Sequence, residues 1–100
     1  MFLIEFYAII VNAMRVAEIK SISKEEGYIY YINRYKATAV IEYLSKEASF
    51  PFSFYVEINP LGMRSYHVND IPRTLDYPLL PVMKALKEYV IKMDKNRELP

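Results

Sequence analysis

Phe52, Phe54, Val56 and Ile58 alternate with Ser53, Tyr55 and Glu57. A period of two over this length predicts a half-buried strand with one wet face. Pro51 has no amide donor, which suits a strand's first residue or an edge position. Asn59-Pro60-Leu61-Gly62 follows, with Pro and Gly at the second and fourth places, where a β-turn favours them. Met63–Val68 then returns as a strand and closes a β-hairpin.

The same period runs upstream from Val16. Val16–Ile22 and Tyr28–Ile32 read as strands joined by a turn over Ser23–Gly27, where Gly27 can take a positive φ. Lys36–Leu44 reads as another strand, with Ala37, Ala39, Ile41 and Tyr43 on one face. Tyr28–Leu44 is too long for one ordinary strand, so a break is expected near Asn33-Arg34, or else a bulge. Ser45–Ser49 is polar and reads as a loop.

After Pro78 the period changes to 3.6. Leu79, Val82, Met83, Leu86, Tyr89, Val90 and Met93 form one apolar helical stripe. Asp76 can cap its start, and Pro78 and Pro81 suit only a first turn. Lys92, Lys95 and Arg97 fall where the helix dipole favours cations. The fold class expected is α+β: an antiparallel β-meander of four to five strands, then one C-terminal amphipathic helix packed on the sheet.

Met1–Ala13 stands apart. It reads MFLIEFYAIIVNA, with Glu5 its one charge. It is too short to span a membrane, and it lacks the basic residues that open a signal peptide. Three readings stay open: an extra strand or short helix, a signal-like segment, or a mis-assigned start with Met14 as the true first residue. The single domain is expected over residues 14–100.

Composition narrows the chemistry. The 100 residues include no Cys, one His and two Gly. These counts leave no disulfide framework, no thiolate chemistry, no His-rich metal site and no Gly-rich phosphate loop. Hydrophobic residues make up 53%, enough to build a core, and 13 basic residues nearly balance 12 acidic ones. His67, three residues before Asp70, could act as a general base oriented by that carboxylate, but no Ser or Thr sits in a nucleophile motif such as G-x-S-x-G. Glu42 and Glu57 fall on the expected solvent face of the sheet. No enzyme, metal or cofactor is therefore expected.

Tyrosine is the one excess. Seven of the ten lie between Tyr28 and Tyr66. Tyr55 falls opposite Phe52, Phe54 and Val56, so it should leave the core. With Arg34, Lys36, Arg64 and Tyr66 it makes a candidate binding surface. Aromatics on a sheet margined by cations can stack nucleobases and hold phosphates. Tyr also has high β propensity and favours the buried centres of protein interfaces. The order of strands then helix over Val16–Met93 resembles the topology of purine-rich-element-binding repeats and single-strand-binding transcription coactivators, which dimerise. Asn59-Pro60-Leu61-Gly62 faintly resembles a PilZ element but lacks its Ser and its paired arginines. No binding residue carries over from either family.

The expected function is a small non-enzymatic interaction module, homodimeric and cytoplasmic. The alternative is single-stranded nucleic-acid binding through a Tyr-rich sheet face. Open sheets leave two edges that need covering, and a second copy would cover one.

Overall fold

The computed structural model describes residues 14–26, 31–43, 46–73 and 78–100. Expectations for Met1–Ala13, Gly27, Tyr28–Tyr30 and Asp76 lie outside the described residues. Among the described residues, four strands form one antiparallel meander in the order β1-β2-β3-β4: β1 Met14–Lys24, β2 Ile32–Tyr43, β3 Lys46–Ile58 and β4 Arg64–Asn69. The helix α1, Leu79–Lys95, packs against one face. The fold is α+β, as the two periods imply.

Alternation decides which face is buried. Phe50, Phe52, Phe54 and Val56 of β3 are buried, and so are Tyr35, Ala37, Ala39 and Ile41 of β2. The Tyr35 and Phe54 rings stack across the two strands at 4.9 Å and 16°. Such a pair adds about 0.5–1.5 kcal/mol beyond area burial and pins the register. Phe52 stacks in turn on Phe54, at 5.7 Å.

Two local expectations are corrected. β2 has no break at Asn33-Arg34: Asn33 pairs with Val56 and Arg34 with Tyr55 in unbroken register. The buried Tyr35 and the ladder to β3 hold this stretch extended. Lys46–Ser49 is not a loop but the first part of β3, paired with Val40–Tyr43. Pro51 lies in mid-strand, yet β4 reaches only as far as Ser53. On that side β3 is an edge at Pro51, where a missing donor is tolerated.

The β3–β4 hairpin closes as its residues imply. The Gly62 amide donates to the Asn59 carbonyl at 2.8 Å, and Gly62 takes a φ of +83° that favours glycine. Asn59 Oδ1 accepts from the amides of Leu61 and Met63 at 3.0 and 2.9 Å. This local side-chain capping makes the turn stiff.

Val82, Leu86, Val90 and Met93 are the buried stripe of α1. Leu79 falls outside it and is exposed. The backbone of α1 comes closest to β1 and β4, the two outer strands. The sheet thus curls around the helix, and the large side chains of β2 and β3 fill the space between.

Candidate functional site

The outer face carries a row of three side chains, one from each of three neighbouring strands. Arg34 of β2 pairs with Tyr55 of β3, and Tyr55 pairs with His67 of β4. The Tyr55 and His67 rings stack at 4.5 Å and 13°. The Arg34 guanidinium lies 5.8 Å from the Tyr55 ring centre. Arg34 and His67 come from strands on opposite sides of β3, so they flank the Tyr55 ring. A cation over a tyrosine face gains about 0.5–1 kcal/mol at an exposed site.

Lys36 lies one row along, paired with Ser53, and its Nζ sits 3.7 Å from Glu25 Oε1. Ser53 Oγ donates to Asp70 Oδ2. The carboxylate read as an orienter for His67 is thus engaged by Ser53, while His67 rests on Tyr55. Among the described residues, no three His, Asp or Glu side chains gather as a metal site.

Arg34, Lys36 and Tyr55 therefore share one surface, but Arg64 and Tyr66 do not join it. They face the helix side, opposite Ile58 and Val56. Arg64 Nη1 reaches both oxygens of Asp94, at 2.9 and 2.8 Å, and Tyr66 Oη donates to Asp94 Oδ2 at 2.6 Å. Burial, and then this hydrogen bond, push the Tyr66 phenol up to about 12. Burial, and then the Asp94 carboxylate, also raise Tyr35. The sequence held the signal for this face: Val68 is core, and Tyr66 and Arg64 share its parity. His67 and Ser65 take the outer parity instead.

A second kind of surface lies at the two ends of β4. Ahead of the strand, the tight turn leaves Leu61 84% and Met63 61% exposed, with Tyr31 at 58%. Ile58 donates its amide to the Tyr31 carbonyl, which ties Tyr31 to this end. Past the strand, Leu79 lines a hollow with Val68, Asn69 and Ile71, and Leu80 beside it is 76% exposed. Clustered apolar exposure of this kind marks interaction surfaces better than scattered single residues do.

The chain belongs to the BB_0187 family, whose model matches residues 10–95. No curated protein and no solved structure matches it significantly. Among the described residues, no helix is long and apolar enough to cross a membrane.

Proposed function

We propose that this member of the family is a non-enzymatic cytoplasmic interaction module that self-associates through the free edge of β4. The observation that carries this reading is where the exposed apolar side chains fall. Leu61 and Met63 flank one end of β4, and Leu79 and Leu80 flank the other.

The two sheet edges also differ. β1 is irregular between Val16 and Glu18 and again between Lys20 and Ser23, and Ser21 has a φ of +54°. Bulges of this kind blunt an edge against pairing. β4 keeps an unbroken register with β3 over all six residues. It is the regular edge, and its outward amides and carbonyls can pair with another strand.

Twofold symmetry joins these two facts. When two copies of β4 pair antiparallel, the Met63 end of one meets the Asn69 end of the other. An isologous contact of this kind repeats each pairing twice. Leu61 and Met63 of one copy then cover Leu79 and Leu80 of its partner. Light scattering on the purified chain at micromolar concentration should give twice the 11.8 kDa chain mass. A single-chain mass would overturn the reading.

A second reading rests on the Arg34–Tyr55–His67 row. With Lys36 beside it, this row could stack a nucleobase on the outer side of His67 and hold phosphate with the two cations. Arg34 and His67 flank the Tyr55 ring, so direct stacking on Tyr55 requires one of them to move. A labelled single-stranded oligonucleotide at low salt should shift, and Tyr55→Ala should weaken it; no shift removes this reading.

A further inference from the structure

Beside the C-terminus of α1, the helix side of the sheet opens into a cleft of about 740 Å³. Tyr35, Tyr66, Ile91 and Leu99 give it an aromatic and apolar wall. Four basic side chains line it as well: Lys24 at the end of β1, Arg64 at the start of β4, and Lys95 and Arg97 at the end of the helix. The one carboxylate among them, Asp94, is already held by Arg64 and Tyr66. Among the described residues, no ion pair or hydrogen bond engages the side chains of Lys24, Lys95 or Arg97.

Helix-dipole compensation explains part of this. Lys92 and Lys95 lie in the last turn, where cations are favoured. It does not explain Lys24 and Arg64, which come from the two outer strands. Nor does it explain the backbone at Arg97. The Arg97 amide donates to the Asp94 carbonyl at 3.1 Å, and the Glu98 amide donates to the Met93 carbonyl at 2.9 Å. These two bonds are a Schellman closure, and Arg97 occupies its left-handed position with a φ of +57°. Glycine is the usual residue there, because a side chain strains the backbone. The chain carries a strained arginine where glycine would close the helix more easily, and that arginine lines the cleft.

We propose that this cleft binds a small organic phosphate. Three uncompensated cations call for more than one negative charge, which phosphate supplies and a single carboxylate does not. Arginine forks match phosphate oxygens in bidentate fashion. The volume falls in the range of small-molecule sites, and the Tyr35, Tyr66, Ile91 and Leu99 wall can hold the organic part. The assignment is independent of self-association, since the cleft lies on the helix side and not along the free edge of β4.

Calorimetric titration of the full chain with pyrophosphate, ADP, adenosine and citrate tests it. Saturable binding of ADP and pyrophosphate is expected, with adenosine silent and citrate weaker. Arg97→Gly should weaken ADP by about tenfold or more without lowering the melting temperature, and Lys95→Ala should weaken it too. Lys46→Ala, at the far end of the sheet, should change nothing. No saturable binding of either phosphate at millimolar concentration would overturn the proposal. So would adenosine or citrate binding as tightly as ADP, or an equal loss in Lys46→Ala.

Discussion

Arg64 and Asp94 tie the start of β4 to the last turn of α1, with one guanidinium nitrogen reaching both carboxylate oxygens at 2.9 and 2.8 Å. Asp94 also accepts from the Tyr66 hydroxyl, so a single carboxylate joins helix to sheet through two side chains. The Arg64 side chain is about half exposed, and solvent screening keeps the pair modest in energy. Arg64→Ala should cost about 1 kcal/mol or less in urea unfolding. A loss several times larger would show that the pair is not screened.

The tyrosine beside this pair makes stability fall at high pH. Tyr66 is held protonated up to about pH 12 in the folded chain. An unfolded tyrosine ionises near pH 10, at about its ordinary value. Below that pH both states keep the proton, and the contribution is fully present. Between the two values only the folded state keeps it, so stability falls as pH rises. Tyr66→Phe should flatten this fall, leaving the smaller part due to Tyr35. Urea midpoints measured from about pH 9 upward would check the slope, and identical slopes in the two proteins would contradict the assignment.

The helix stripe sets most of the core. Leu86 is fully buried between Val82 and Val90. Leu86→Ala should cost about 2–5 kcal/mol, a large share of a small domain's stability. Chemical denaturation gives the number, and a loss below about 1 kcal/mol would mean that the stripe does not face the sheet.

Arg97→Gly should act in the opposite sense. Relief of the left-handed backbone contributes about 1–2 kcal/mol. The freer unfolded chain of a glycine offsets about 0.5–1 kcal/mol of this. The net change is a small gain, of about 1 kcal/mol or less. Differential scanning calorimetry should show an unchanged or higher midpoint, and a drop of several degrees would contradict the strain argument.

Much of the fold is legible because burial on one face imposes a period. The alternation from Phe50 to Ile58, the Asn59–Gly62 turn and the stripe from Val82 to Met93 each have one consistent local reading. The misread stretches are those where no core face shows. Lys46, Glu47 and Ser49 are exposed and polar, and they extend as a strand because β2 offers a pairing partner. Asn33-Arg34 resembles a turn in isolation, but Tyr35 and its partner Phe54 override it. The candidate surface divides for a related reason. Arg34, Lys36 and Tyr55 follow from parity, whereas Arg64 and Tyr66 are drawn to the helix side by Asp94, thirty and twenty-eight residues away. His67 is legible as a lone histidine, but its seat against Tyr55 depends on the β3–β4 register.

Self-association through β4 is tested most directly by a charge cycle across its two ends. Sedimentation equilibrium would be run on the native chain, on Met63→Lys, on Leu80→Glu and on the double variant. The account predicts a dimer for the native chain and about tenfold or greater weakening in each single variant. The double variant should recover part of the affinity, because opposite charges then face each other across the twofold interface. A monomeric native chain, or losses that simply add in the double variant, would contradict it.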